Sequence, residues 1–583
     1  VTTTEGVPPP LPPRPPASGP ASGPAPASDL GTSVTALAGG VCGPEALAPM
    51  LAVALGALRE GAVARGGPLP GGGPEGVAAT LRELLASGSL LPDEGDPDAL
   101  AVLTRALAAT AADPADPACA AHLHVPPLAV AAVADLAAAA LNPSLDSWDQ
   151  APGGTEIENA VLRVLAELVG FEHAGEPGGA TGVFTTGGTE TNLMALMLAR
   201  DHVLAREFGV ADGAGIPAEA AGRLRVLCSS AAHFSVARAA SVLGLGAQAV
   251  VPVETSDDGS LDPRLLDWTL ADVRTAGLVP CCVVATAGTT DRGAIDPLRA
   301  VAAVTGRHGV PLHVDAAYGG GALFSRRLAP LLDGLALADT VGLDLHKLGW
   351  QPVAAGVLLA RRADLLTPLA QRVAYLNPAD DEEAGYTSLL GRSLRTTRRP
   401  DAFKVAVTLR TLGRSGLGAL VDCCHALACH AAAAIAAHPR LELLAEPRLT
   451  TVLFRYLPER EVDPGAGGAG GAGDVVGVVG VLEEANAVNA ELRRRLLAEG
   501  RAVVGRTELP GPGGSAAPTV VLKLTLLNPH TTEADLDRLI AHVVAAGTST
   551  ERERDTRAAE RGAAQPEAAQ SGGDPRHSQE NRA

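Results

Sequence analysis

Leu312-His313-Val314-Asp315-Ala316-Ala317-Tyr318-Gly319-Gly320 is the stretch on which the fold turns. It opens as a short buried strand, Leu312-His313-Val314, and ends in a carboxylate followed by two small residues. Runs of the same kind lie on both sides of it: Val226-Leu227-Cys228, Ala249-Val250-Val251-Pro252-Val253, Cys281-Cys282-Val283-Val284-Ala285, Thr340-Val341-Gly342-Leu343 and Gly356-Val357-Leu358-Leu359. Helical patterns separate them. Buried apolar strands alternating with helices indicate an α/β domain with a mostly parallel sheet. In such sheets ligands bind at the carboxyl ends of the strands.

Working outward, the α/β pattern covers 151–405. Residues 34–150 read as a helical segment with an internal Gly/Pro loop near Gly66 to Gly76. Residues 406–547 combine helices with the strand-like runs Thr451-Val452-Leu453-Phe454 and Val520-Val521-Leu522-Lys523-Leu524, which predicts a small α+β domain holding a Gly/Ala linker from Gly465 to Gly473. Residues 1–33 are rich in Pro, Ala and Ser, and 548–583 are charged and polar. Both are expected to be disordered, because such compositions bury too little apolar surface to offset chain entropy.

Hydrophobic residues make up 46% of the chain but aromatic ones only 2%, so the core must be built from Leu, Val and Ala. A formal charge of −19 argues against a nucleic-acid surface, which needs clustered Lys and Arg. No segment reads as transmembrane: the Ala-rich run Leu128 to Leu141 is short and carries Asp135. The N-terminus lacks the basic-then-apolar layout of a signal peptide, and the expectation is a cytoplasmic protein. Eight cysteines in so long a chain do not suggest a disulfide scaffold. Cys423, Cys424, His425, Cys429 and His430 fall on two helix faces, His425 with Cys429 and Cys423 with His430. That arrangement suits small core residues better than a converging metal site.

Chemistry-bearing residues cluster near strand ends of the α/β domain. In Thr185-Thr186-Gly187-Gly188-Thr189-Glu190, two glycines precede a helical run expected near Glu190. This fits either a phosphate held by free N–H groups, with Thr189 adding a hydroxyl, or an ordinary turn with Thr189 as N-cap. His233, in Ala232-His233-Phe234-Ser235, suits a ring lying flat on an aromatic ligand or a satisfied buried imidazole. Thr290, in Gly288-Thr289-Thr290-Asp291, suits a donor to a ligand oxygen or a generic turn. Asp315 suits a partner for a protonated ring nitrogen, with Ala316 and Ala317 leaving room for the ring. About one strand–helix–strand unit later comes Asp344-Leu345-His346-Lys347. An amine held there becomes a nucleophile when burial or a nearby cation deprotonates it. A phosphate cradle, a ring stacker, a ring-nitrogen partner and an amine together are what pyridoxal 5'-phosphate requires.

The order Thr-Gly-Gly-Thr-Glu, Ala-His-Phe-Ser-Val, Gly-Thr-Thr, His-Val-Asp-Ala-Ala-Tyr-Gly-Gly and Asp-Leu-His-Lys resembles the PLP-dependent decarboxylases that act on glutamate, aromatic amino acids and diaminobutyrate. The resemblance covers about 115–540. It implies a type I, aspartate-aminotransferase-like large domain and a homodimer with active sites at the interface. It also implies Lys347 as Schiff-base lysine, Asp315 as pyridine-nitrogen partner and His233 as stacking residue. Gly188 and Thr189 would contact phosphate, Thr290 and Ala317 would line the cofactor, and His346 would adjoin its phosphate. Tyr375, in Val373-Ala374-Tyr375-Leu376-Asn377-Pro378, matches a mobile-loop tyrosine implicated in proton donation. His122-Leu123-His124-Val125-Pro126-Pro127, the run Asn142 to Gln150, Leu394-Arg395-Thr396-Thr397-Arg398-Arg399 and Leu522 to Pro529 look most like the diaminobutyrate and siderophore-pathway lysine decarboxylases. The first two are expected near the substrate entrance, with His124 a candidate substrate contact. Pro400 and Gly153-Gly154 depart from the family pattern.

The leading expectation is therefore decarboxylation of an L-amino acid, a basic diamino acid foremost. Alternatives are aromatic, glutamate or aspartate decarboxylation, a PLP-dependent aminotransferase or aldehyde-forming reaction, and a non-enzymatic PLP-binding protein, against which the intact set Asp315, His233 and Lys347 argues.

Overall fold

A computed structural model describes residues 35–86, 90–370, 372–459, 473–509 and 518–563. The helices are α1 (Gly43–Arg65), α2 (Gly73–Ala86), α3 (Ala99–Thr110), α4 (Ala129–Leu141), α5 (Pro152–Val169), α6 (Gly188–Phe208), α7 (Ser235–Val242), α8 (Pro263–Thr275), α9 (Leu298–His308), α10 (Ala379–Glu383), α11 (Ala402–Ala437), α12 (Gly473–Ala498) and α13 (Glu533–Ala563). The strands are β1 (Thr181–Thr185), β2 (Leu224–Ser229), β3 (Val250–Val253), β4 (Val279–Thr286), β5 (Leu312–Ala316), β6 (Thr340–Asp344), β7 (Gly356–Ala360), β8 (Leu441–Leu443), β9 (Thr451–Tyr456), β10 (Gly505–Leu509) and β11 (Thr519–Thr525).

A 7-stranded sheet in the order β1-β7-β6-β5-β4-β2-β3 forms the centre. Strands β3, β2, β4, β5 and β6 pair in parallel, and β7 runs antiparallel to both β6 and β1. Helices on both faces explain the unalternating apolar runs. Strand β4 is buried from Pro280 to Thr286, with Cys281, Cys282, Val283 and Val284 wholly inaccessible. The α/β fold expected from those runs is thus present, with N-terminal helices ahead of it and a 4-stranded antiparallel sheet, β10-β11-β9-β8, behind it. Because β1 through β6, β7 apart, point the same way, Thr185, Ser229, Thr286, Ala316 and Asp344 all end on one edge.

The structure differs from the sequence reading in several places. The Gly/Pro loop is shorter than expected, since α2 already begins at Gly73. Strand β1 escaped notice because its run is broken by Thr181 and Gly182, and β10 because Arg506 and Glu508 alternate outward on an edge strand. The tail expected from 548 onward is helical as far as Ala563. Its charges are ion-paired across α12: Arg554 with Glu484 and Glu491, Arg557 with Glu491, and Arg495 with Glu553. The disorder expected for 1–33 and the part of the linker at 465–472 lie outside the described residues.

Length and composition alone would let two helices cross a membrane, where the sequence reading named only the shorter run Leu128 to Leu141. Gly43–Arg65 and Ala402–Ala437 both meet that test by length and composition. Helix α11 reaches it because its small residues bury against other elements: Val421, Cys424, Ala428, Ala431 and Ile435 are inside, and Gly413 (φ 62°) kinks it. It packs on α4, α5, α13 and the small sheet.

Candidate active site

The edge where the parallel strands end holds a cavity of about 380 Å³. Its wall includes Gly188, Thr189, His233, Thr290, Asp315, Ala317, His346 and Lys347, so residues from five separate motifs meet in one place. Tyr375 and His124 are not brought to this wall. Tyr375 is 81% exposed, and His124 lies beside His122 on the segment before α4.

Each wall element follows from local chemistry. The turn after β1 carries Gly187 at φ 154° as the residue before α6, which starts at Gly188, two residues earlier than expected. Thr189 is therefore in the first helical turn and is not the N-cap. A Cβ on Gly187 would stand 3.0 Å from His346 Cε1, and one on Gly188 would stand 3.1 Å from Ala317 Cβ and 3.3 Å from Asp344 Oδ2. Glycine here keeps open the space in front of the helix N-terminus, where unpaired N–H groups favour an anion. Glu190 braces the turn: its Oε2 accepts from Thr186 N and Oγ1 at 2.6 and 2.7 Å, and its Oε1 pairs with Arg395 Nε at 2.9 Å. Arg395 and Arg398 both donate to the Phe184 carbonyl, and Arg398 pairs with wholly buried Glu158 at 2.9 Å. Those arginines belong to the Leu394–Arg399 run, whose place is the outside of the cradle.

Lys347 follows β6 in a tight turn and reaches Asp344 Oδ2 at 3.1 Å; His346 Nε2 lies 3.5 Å from the same oxygen. The other oxygen, Oδ1, is buried without a hydrogen-bond partner, as is Thr286 Oγ1. Burial pushes the His346 imidazole below its ordinary range despite Asp344. Asp315 accepts from Ala317 N at 3.1 Å and Asn192 Nδ2 at 2.8 Å. Burial also pushes His233 down, with Asp315 pulling the other way and Lys347 adding to the fall.

Asp344, Asn192 and Lys523 were missed. Asp344 was in plain view three residues before Lys347, and its acidic side chain so close to a candidate nucleophile was the available signal. Asn192 gave none, being one polar residue in a helix. Lys523, on β11, pairs with Asp291 at 2.9 Å and donates to the Thr290 carbonyl at 3.3 Å, which ties the small domain to the cavity loop. Tyr318 ties it again through Thr450 Oγ1 and Thr451 Oγ1. The Cys/His group separates as its helix faces predict. His425 Nδ1 meets the Leu449 carbonyl at 2.6 Å, and His430 pairs with Asp537. The departures Gly154 and Pro400 face each other, with the Pro400 Cβ 3.4 Å from where a Gly154 Cβ would stand.

An amine, a carboxylate, an imidazole and a glycine cradle at the ends of a parallel sheet are the groups that pyridoxal 5'-phosphate calls for, and the cradle and the orphaned Thr286 hydroxyl fit that cofactor. The model of the "pyridoxal-dependent decarboxylase conserved domain" matches residues 92–457, and the chain belongs to this family. It is a PLP-dependent amino-acid decarboxylase, a carboxy-lyase. Two proteins named L-2,4-diaminobutyrate decarboxylase are similar to it. The one from Acinetobacter baumannii is 36% identical over 73% of this chain and 79% of its own. The one from Rhizobium meliloti is 41% identical over 73% and 76%. Among solved structures, the glutamate decarboxylase domain of diaminobutyrate-pyruvate transaminase and L-2,4-diaminobutyrate decarboxylase from Vibrio parahaemolyticus superposes with a TM-score of 0.73 at 31% identity, covering 88% of this chain and 98% of that one. Oryza sativa TDC with PLP and tryptamine gives 0.74 at 25% identity, covering 87% and 98%.

Proposed function

We propose that the substrate is an L-amino acid with a second amine, L-2,4-diaminobutyrate or lysine. The observation that carries this reading is the reach of the likeness. It runs over 73% of the chain at 36% and 41% identity for the two diaminobutyrate decarboxylases, against 69% at 28% for an aspartate 1-decarboxylase of Aliivibrio fischeri and 56% at 37% for an acidic amino acid decarboxylase of Mus musculus.

Bound pyridoxal 5'-phosphate supplies an electron sink for the pair released when the bond from Cα to the carboxylate breaks. Lys347 Nζ is the amine that anchors it. The Asp315 carboxylate favours the protonated ring nitrogen, because an adjacent anion stabilises the charged form. The N–H groups of Gly188 and Thr189 would hold the cofactor's phosphate, with His346 beside them, and Thr290 and Ala317 would bound the space. His233 would lie against the ring. Tyr375, 81% exposed and off the cavity wall, would have to be carried in by its loop to donate a proton to Cα. His124 contacts substrate near the entrance.

The enzyme acts as a homodimer with its site at the interface. Val53, Leu55, Leu58 and Val63 on α1 and Leu103 and Leu107 on α3 are exposed apolar side chains that a second copy would cover. The eight cysteines are free thiols, which fits the reducing cytoplasm.

The test is CO2 release from diaminobutyrate, lysine, ornithine, glutamate, aspartate and aromatic amino acids, with the amine product identified. Diaminobutyrate or lysine should be fastest by kcat/KM. Faster turnover of glutamate or aspartate would overturn the reading.

A further inference from the structure

Asn192 lies one turn into α6, buried, and its amide makes three hydrogen bonds. Nδ2 donates to Asp315 Oδ2 at 2.8 Å and to Ser235 Oγ at 2.8 Å. Oδ1 stands 3.0 Å from His313 Nε2. On the far side of His313, Nδ1 stands 2.9 Å from Thr340 Oγ1. Beyond Ser235, Oγ is 2.8 Å from His233 Nδ1, and the Ser235 backbone N–H donates to the same nitrogen at 3.3 Å.

The protons in this chain are determined. A backbone N–H can only donate, so His233 Nδ1 is an acceptor and the ring proton sits on Nε2. Ser235 Oγ accepts from Asn192 and spends its own proton on His233 Nδ1. An amide oxygen can only accept, so His313 Nε2 carries the proton that Asn192 Oδ1 receives. His313 Nδ1 then accepts from the Thr340 hydroxyl. Reversing the Asn192 amide would face two oxygens together at Asp315, so the orientation with Nδ2 toward the carboxylate stands. Burial, which keeps both imidazoles below their ordinary range, agrees with two neutral rings. The charged groups around His233 are Asp315, Asp344, Lys347 and Arg238.

We propose that Asn192 is the positioning residue of the site: its single amide holds Asp315 as an oriented carboxylate and, through Ser235 Oγ, adds a second donor to the His233 Nδ1 that the Ser235 backbone N–H already keeps as an acceptor. One side chain thereby fixes both groups that address the cofactor ring, from opposite ends of a fork whose stem is anchored through His313 to Thr340 in the middle of the sheet. The inference rests on the roles given above to Asp315 and His233.

Its test compares cofactor affinity, the visible spectrum of the bound cofactor across pH, and the split between kcat and KM in purified full-length variants. Asn192→Leu cuts both arms. It should weaken cofactor affinity about tenfold or more, the size of one lost charge-assisted hydrogen bond, and move the spectral titration. Ser235→Ala cuts the His233 arm alone. It should leave affinity and the spectral titration near wild type while lowering kcat at constant KM. Unchanged affinity and titration in Asn192→Leu overturn the proposal, and so does a Ser235→Ala variant that behaves like Asn192→Leu. If Asn192→Leu does not fold, Asn192→Ala, which removes the amide without adding bulk or charge, takes its place with the same outcomes. Asp315→Asn is the control. If it leaves affinity and titration unchanged, the role of Asp315 itself falls, and the proposal with it; if it moves them and Asn192→Leu does not, only the role of Asn192 falls.

Discussion

Lys347 Nζ sits 3.1 Å from Asp344 Oδ2, a carboxylate whose other oxygen is buried with no partner. Asp344 is 2% exposed at its side chain and Lys347 20%, so the pair is shielded and the loss of one member is felt by the other. If Lys347 anchors the cofactor as proposed, Asp344 is its partner until the amine is bonded there. Asp344→Asn should therefore lower the stability of the cofactor-free protein by about 1–3 kcal/mol. The loss should shrink in the loaded protein, where Nζ is bonded elsewhere. Thermal melts of both forms decide it: an equal drop in each would mean that Asp344 does not act through Lys347.

Lys347→Ala removes the amine itself. The purified variant should take up cofactor without the covalent link, so borohydride treatment traps no cofactor on the chain and CO2 release is lost. A trapped adduct as abundant as in wild type would move the anchor to another residue.

The buried pair Arg398–Glu158, 2.9 Å apart and 1% exposed on each side, clamps the strand before the cradle. Burial raises the Glu158 carboxyl even with Arg398 beside it, so the pair does not fully offset the cost of leaving water. Arg398→Met alone should cost about 3–5 kcal/mol, because it strands a buried carboxylate. Adding Glu158→Leu should recover most of that. Urea unfolding of the single and double variants measures the difference; a double variant no more stable than the single would assign the role to packing.

His313 connects the stem of the Asn192 fork to pH. Burial pushes its imidazole down to about 4. An unfolded histidine titrates near about 6.5. Between those values the unfolded chain takes a proton that the folded chain refuses, so this residue's contribution to stability falls as pH drops from about 6.5 toward about 4. The margin by which wild type exceeds His313→Gln in stability should shrink by about 2 kcal/mol between about pH 7.5 and about pH 5. A margin independent of pH would show that His313 does not titrate differently in the two states.

The parallel sheet was legible because its strands are buried on both faces and read as short unbroken apolar runs, and the cavity was legible because its residues stand where those runs stop. Strands β1 and β10 were not, since one begins with Thr and Gly and the other alternates outward on an edge. The end of α13 was not, because Arg554 and Arg557 read as a charged tail until Glu484 and Glu491 on α12 are seen opposite them. Asn192 shows the general limit. Its partners Asp315, Ser235 and His313 come from two other elements, and nothing in the order of the residues says that they converge.

Gly188→Ala tests the cradle without touching a charged group. Alanine is the better helix former, so the change should not weaken α6 itself. Its methyl would stand 3.1 Å from Ala317 Cβ and 3.3 Å from Asp344 Oδ2, in the space before the helix N-terminus. The cofactor-free variant should melt within about 2 °C of wild type, the low end of the shift about 1 kcal/mol gives in a domain of roughly 150–250 residues. Cofactor affinity should fall about tenfold, which is about 1.4 kcal/mol. Inorganic phosphate, used as a competitor for cofactor binding, should lose affinity with it, since both depend on the same N–H groups. If the cofactor binds less tightly but phosphate competes as well as before, the methyl disturbs the ring pocket at Ala317, and the anion site lies elsewhere.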